Sequence, residues 1–123
     1  MAARYSVVLI TVPDRPAGEK LVEILLNARL AACVGLVPGV RSRYWWKGKI
    51  ETAEECLLMA KTKAALLPEL VEIVRKNHPY STPEILGLPV LHGNPAYLDW
   101  LGAATRFTKP LSAAAPKTSR QEP

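Results

Sequence analysis

One run of residues, 40–62, limits the fold more than any other, because it has the composition of extended chain and is interrupted only at Lys47 and Gly48. The aromatic residues 44–46 precede this interruption, and Ile50 begins the second half. Glycine readily adopts the positive φ angle that a tight hairpin turn requires. The run therefore predicts one long β-hairpin with Lys47 and Gly48 as its turn residues, while the turn type stays open.

Two cross-strand pairs favour this register of the hairpin. It places Trp45 opposite Ile50 and Arg41 opposite Glu54. An aromatic–aliphatic pair and a pair of opposite charges both stabilise antiparallel strands. The arms are too long for one small sheet to cover, so we expect their far half to pair with another chain.

The two adjacent tryptophans, Trp45 and Trp46, point to opposite faces of a strand. They therefore cannot form a single platform on which nucleobases stack. We expect one face to belong to the core and the other to an interface between chains. Tyr44 and Trp46 share the interface face.

The first part of the chain reads as strand, helix and strand. The β-branched run within 5–12 is typical of a central strand covered on both faces. Asp14 is a suitable N-cap for a helix that begins near Pro16 and ends near Leu30. Residues 31–37 are again apolar and extended, and Pro38-Gly39 indicates a bulge or a bend before the hairpin.

A second helix, a short strand and a third helix follow the hairpin. We expect Thr62 to cap the second helix, which runs to Asn77 and stops before Pro79. Residues 85–91 predict a bulged or edge strand, because Gly87 and Pro89 interrupt them. Asn94-Pro95 is a strong start for the last helix.

The order β-α-β-β-α-β with a terminal helix predicts an α+β, ferredoxin-like fold with a long hairpin between its second and third strands. We expect one domain over residues 1–107. Residues 108–123 are mostly Pro, Ser, Ala and Lys, which predicts a disordered C-terminal tail.

The charge distribution argues against a nucleic-acid partner. The 123 residues carry a formal net charge of +5. Four basic residues and one acidic residue in 106–123 account for +3, which leaves +2 for residues 1–105. The basic residues form no visible stripe or patch, as a nucleic-acid footprint would.

Cysteine spacing and hydropathy indicate a reducing, cytoplasmic setting. Cys33 and Cys56 form no CxxC motif, so they predict buried thiols and neither a disulfide framework nor a zinc site. The apolar run 7–12 is too short for a signal peptide or a membrane span, and we expect no membrane partner.

His78 is the best single residue for metal chemistry, because a neutral imidazole is a common metal ligand and Pro79 restricts its backbone. The alternative is that His78 ends the second helix or bonds a nearby carbonyl group. The alternative is favoured, since one histidine does not make a metal site.

Short motifs along roughly residues 7–101 resemble the CutA family, which is named for divalent-cation tolerance. They occur in the family's order, which makes chance resemblance very improbable. The matching pieces are Pro13-Asp14, Leu30-Ala31-Ala32-Cys33-Val34, Tyr44-x-Trp46-x-Gly48-Lys49-Ile50, Lys61-Thr62, His78-Pro79-Tyr80-x-x-Pro83-Glu84-Ile85, Leu88-Pro89-Val90 and Gly93-Asn94-x-x-Tyr97-Leu98-x-Trp100.

The resemblance implies a ferredoxin-like fold, a tight homotrimer joined through its long strands, and an architecture similar to the PII signalling proteins. It also implies a link to metal tolerance, and some family members bind copper. The copper-binding relatives use a cysteine late in the first strand and a histidine pair before Pro-Tyr. Here those positions read Ile10 and Asn77-His78. We therefore expect any Cu(II) binding to be weak and to depend on His78.

The polar residues of these motifs, Lys61, Tyr80 and Glu84, are suited to line a cleft between subunits. An amine, a phenol and a carboxylate can bind a small anion or metabolite, or take part in acid–base chemistry. The alternative is a network that fixes the trimer, with Glu84 paired to a cation. This alternative is favoured.

Our leading hypothesis is a non-enzymatic, trimeric, cytoplasmic protein of the divalent-metal response that requires no cofactor. A PII-like sensor with small-ligand sites between subunits is the second hypothesis. An enzyme that uses Tyr80 and Glu84 is the third.

Overall fold

The computed structural model describes residues 3–107, and the predicted tail at 108–123 lies outside the described residues. The elements follow the predicted order. They are β1 (Tyr5–Val12), α1 (Arg15–Asn27), β2 (Cys33–Trp46), β3 (Lys49–Lys63), α2 (Leu67–Asn77), β4 (Ile85–Pro89) and α3 (Pro95–Ala104), with a single 3₁₀ turn at Ala64–Leu66.

The four strands form one antiparallel sheet in the order β2-β3-β1-β4. β1 is a central strand between β3 and β4, as its β-branched run predicts. β4 is short and lies at the edge of the sheet. Pro89 is tolerated there because an edge strand has one side without a partner strand, so a missing backbone N–H is not needed on that side. This order confirms the ferredoxin-like prediction.

The hairpin has the predicted turn. Lys47 and Gly48 both have positive φ, at 51° and 81°. Positive φ at both central residues is the signature of a type I′ turn, whose twist suits a two-residue hairpin. The predicted bulge or bend is present as a register shift between Val37 and Val40, and Gly39 there has φ 77°.

The predicted cross-strand pairs of the hairpin are also confirmed. Trp45 lies opposite Ile50, and Arg41 lies opposite Glu54. Trp45 nevertheless does not belong to the core, because it is 73% exposed. Its face is the one that α1 and α2 cover further down the sheet, but the hairpin extends past the reach of both helices. That part of the prediction was wrong.

α1 and α2 pack on one face of the sheet and enclose the core. Alternate residues of β1 and β3 point towards the helices, as the two-residue period of a strand requires. The fully buried members of the core include Val8, Ile10 and Val12 of β1, Leu58 and Ala60 of β3, Leu21 and Leu25 of α1, and Leu70 and Val74 of α2.

The opposite face of the sheet, here called the open face, is apolar and only partly covered. On β3 it carries Glu55, Leu57, Met59 and Lys61, which alternate with the core residues of that strand. Leu86 and Leu88 of β4 share this face and are 53% and 46% exposed. The open face is therefore an apolar surface that α1 and α2 leave uncovered.

α3 packs across one end of the sheet. Gly102 lies against the ring of Tyr5, at the start of β1. Lys63 donates hydrogen bonds to the carbonyl groups of Thr105 and Arg106, at 3.4 and 2.9 Å, and burial lowers its pKa. A cation at these carbonyls stabilises the end of the helix. Within residues 3–107 no helix is long and apolar enough to cross a bilayer.

Two of the three predicted helix caps are present. The side chains of Asp14 and Asn94 accept hydrogen bonds from the backbone at the starts of α1 and α3. Thr62 does not cap α2. It is fully buried in β3, and its hydroxyl donates a 2.6 Å hydrogen bond to the carbonyl of Leu30. This bond ties the end of β3 to the loop after α1.

Replacing Thr62 with valine keeps the side-chain volume and removes this hydrogen bond. We expect the free energy of unfolding to fall by about 1–3 kcal/mol, because the carbonyl of Leu30 loses its buried donor. Chemical denaturation measures the change. Thr82→Val at an exposed position is the control, and equal stability of the two variants would contradict the assigned role of Thr62.

Candidate functional site

A cluster of polar residues lies beside the end of β1, where α2 also ends. His78 follows the last turn of α2 in an extended conformation, with φ −92° and ψ 141°, as the restriction by Pro79 predicts. The chain then crosses towards β4, and this crossing carries His78 and Tyr80 to the sheet. His78 is 9% exposed.

Both ring nitrogens of His78 are engaged. Nδ1 lies 3.0 Å from the backbone nitrogen of Tyr80, and Nε2 lies 2.7 Å from the carbonyl oxygen of Thr11. A backbone N–H can only donate, so Nδ1 accepts and the ring proton is on Nε2, which donates to Thr11. His78 therefore bonds a nearby carbonyl and ends the helix, which is the favoured alternative.

This geometry does not support His78 as a metal ligand within one chain. A metal at either nitrogen has to displace one of the two hydrogen bonds. Residues 3–107 also contain no group of three or more His, Cys, Asp or Glu side chains placed to hold a metal ion.

Tyr80 finds its acidic partner in Glu55 of β3. The phenol hydroxyl donates a 2.8 Å hydrogen bond to Oε2 of Glu55, a residue that is 7% exposed. Burial raises the pKa of Tyr80, and the hydrogen bond and the charge of Glu55 raise it further. A phenol with a raised pKa stays protonated at neutral pH, so Tyr80 acts here as a hydrogen-bond donor and is poorly suited to be a general base.

The predicted trio of Lys61, Tyr80 and Glu84 is not assembled within one chain. Glu84 is exposed and has no ion pair among the residues described. Lys61 lies six residues from Glu55 along β3, roughly 20 Å away at about 3.3 Å per residue. Its ammonium group is 4.0 Å from Sγ of Cys33, on the neighbouring strand.

Glu55 is the residue that the sequence did not single out. Its signal was an acidic side chain directly before the apolar run 56–60, in a strand that was expected to enter the core. Buried carboxylates are rare without a partner. In this structure the partner comes from a segment 25 residues further along the chain, which no local pattern indicates.

The sheet order, the long hairpin and the open face define an α+β protein of the ferredoxin-like class. A family model described as CutA1 divalent ion tolerance protein matches residues 6–104. The chain belongs to this family, as the motifs around the hairpin and Tyr80 predict.

Named relatives agree with this assignment. Protein CutA 1, chloroplastic, from Oryza sativa is 48% identical over 100 residues, which are 81% of this chain and 56% of the rice protein. The chain thus spans little more than half the length of that relative. The divalent-cation tolerance protein CutA of Thermus thermophilus is 47% identical over 95 residues, 77% of this chain and 92% of that protein.

The fold matches a solved structure of the same family. The crystal structure of CutA1 from Oryza sativa superimposes with a TM-score of 0.83 and 45% sequence identity. The match covers 87% of this chain and 98% of that one. The ferredoxin-like arrangement is therefore shared along nearly the whole length of the rice chain in the crystal.

Tyr80→Phe tests the bond to Glu55. We expect the free energy of unfolding to fall by about 1.5–3 kcal/mol, because a buried carboxylate loses its donor. Denaturant titration measures this loss. Tyr97→Phe, at an exposed tyrosine of α3, is the matched control. A loss no larger than that of the control would show that the bond contributes nothing to stability.

Proposed function

We propose that the protein acts as a non-enzymatic homotrimer in the response to divalent metal ions. Membership of the CutA1 family supports the link to divalent ions. The observation that carries the assembly is the open face together with the free outer half of the hairpin. Both leave apolar surface that a soluble protein covers.

Exposure of the large side chains supports this assembly. Tyr44 and Trp46, which share the open-face side of the hairpin, are 43% and 45% exposed in the single chain. Leu86 and Leu88 of the edge strand β4 lie on the same side of the sheet. A cyclic arrangement lets each subunit cover its neighbour and closes on itself. The number three rests on the family resemblance.

We propose that this chain binds metal ions only weakly. Ile10 is fully buried in the core, where copper-binding relatives have a cysteine. Asn77 uses its amide to donate a 2.8 Å hydrogen bond to the carbonyl of Ile73. His78 offers a lone pair only after a hydrogen bond is broken. No cofactor is required for the proposed role.

We place this function in the cytoplasm, without nucleic-acid or membrane partners. The nearly balanced charge of residues 1–105 argues against a nucleic-acid partner, and two cysteines without CxxC spacing favour a reducing compartment. The rice relative bears a chloroplastic name.

A second function, a PII-like sensor of a small ligand, is favoured by the Tyr80–Glu55 pair. A buried carboxylate with an ordered phenol is a typical polar element of a ligand pocket. Thermal shift with metals, nucleotides and small anions separates the two functions, because a ligand that binds only the native state raises the melting temperature.

The oligomeric state is the first test. We expect light scattering at micromolar concentration to give three times the 13.5 kDa chain mass. Trp46→Ala should lower stability by about 3–5 kcal/mol if assembly buries this side chain. Trp45→Ala, on the opposite face of the same strand, is the control and should cost much less. A monomeric mass would refute the proposal.

Copper is the second test. We expect calorimetry to show only weak Cu(II) binding that His78→Ala reduces, because the metal has to displace the Tyr80 N–H group from Nδ1 or the Thr11 contact from Nε2. His92→Ala, at an exposed histidine, is the control. Tight binding that survives His78→Ala would contradict this expectation and point to other ligands.

A further inference from the structure

On the open face, an apolar stretch of β3 is flanked by a buried acid at one end and a half-buried base at the other. Glu55 stands at one end, Leu57 and Met59 lie between, and Lys61 stands at the other end. The ion pairs in residues 3–107 use Glu69 and Glu72 as acids and Arg75, Lys76 and Arg106 as bases. Neither Glu55 nor Lys61 therefore has a charged partner there.

Glu55 is only partly satisfied. Oε2 accepts the hydrogen bond of Tyr80, and the described residues supply no hydrogen bond to Oε1. No fully enclosed side-chain oxygen or nitrogen in residues 3–107 lacks a partner. Oε1 must therefore face an opening, although the residue as a whole is 7% exposed. This oxygen can accept a hydrogen bond from a group outside the chain.

Lys61 is the basic residue of this face whose ammonium group is available. Within residues 3–107 its side chain makes one hydrogen bond, at 4.0 Å to Sγ of Cys33, and a thiol is a weak acceptor. Lys63, two residues further along the same face, already donates to the carbonyl groups at the end of α3. Lys49 is exposed beside the hairpin turn, far from the apolar stretch.

Covering the open face removes water from both charges. An ion that is buried without a partner strongly destabilises an assembly. Glu55 and Lys61 cannot meet within one chain, because the extended strand holds them roughly 20 Å apart. A second copy of the chain brings the complementary charge, and in a cyclic assembly every copy both gives and receives one.

We propose that Lys61 of one subunit binds the carboxylate of Glu55 in the neighbouring subunit, beside the hydroxyl of Tyr80. This inference rests on the trimer proposed above. The site is complete only in the assembly: Tyr80 orients the carboxylate through Oε2, and the ammonium group from the next subunit occupies the side of Oε1. The assembly then contains one such pair at each identical interface.

A double-mutant cycle tests the pair. Lys61→Met and Glu55→Gln should each raise the dissociation constant of the trimer by at least about tenfold, because each leaves the other group buried without its partner. The dissociation constant of the double variant should be no larger than that of the single variant that dissociates more readily. Lys61→Arg keeps the charge and should retain most of the affinity.

The control cycle combines Lys61→Met with Glu51→Gln, at an exposed glutamate of the same strand face. Its effects should multiply, as expected for groups that do not interact. Analytical ultracentrifugation across a concentration series measures all constants. If Glu55→Gln does not fold, the Lys61 variants still decide the question. A loss of affinity in Lys61→Met that Lys61→Arg restores supports a charged contact of Lys61. Unchanged affinity in Lys61→Met overturns the pair.

Two further outcomes are distinct. A wild-type trimer in which Glu55 and Lys61 act independently overturns the pair and leaves the trimer intact, whereas a monomeric wild type overturns both. If methylammonium raises the melting temperature of the wild-type trimer and not that of Glu55→Gln, a free ammonium ligand occupies the site, and the assignment to Lys61 is wrong.

Discussion

The structure depends on a difference in length between two neighbouring strands. β1 pairs with β3 only from Lys63 to Cys56, and the remaining residues of β3 have β2 alone beside them. The hairpin therefore extends beyond the helices, and its outer half has one free backbone edge on each strand. Glu55 stands at this step, one residue past the last pair with β1. The polar site and the exposed outer half of the hairpin follow from the same mismatch.

Much of the fold was readable from the sequence, because its signals are local. A glycine at the turn and two complementary cross-strand pairs specified the register of the hairpin, and Asp14 specified the start of a helix. Thr62 and Trp45 show the limit. A threonine before a helix looks like a cap whether or not its strand has ended, and the period of a strand gives the face of a tryptophan without giving the reach of the helices.

The candidate site was readable only in part. The restriction by Pro79 indicated that His78 and Tyr80 leave the helix in a defined direction. Their partners, Thr11 and Glu55, come from two different strands, and only the packed fold brings them together. Glu84 is near Tyr80 in sequence, but the chain bends between them and Glu84 lies exposed on the surface. The packing of the folded chain, and not spacing along the sequence, therefore determines which residues His78 and Tyr80 contact.

The contact between His78 and Thr11 also has a bearing on aggregation. β4 covers the outer edge of β1 only as far as Ile10, and the next outward-facing acceptor is the carbonyl of Thr11. His78 fills that position with a side chain. A strand from another molecule therefore finds no free acceptor there at which to extend the sheet. The imidazole ring thus closes a short gap in the sheet border at which a foreign strand would otherwise find a free acceptor.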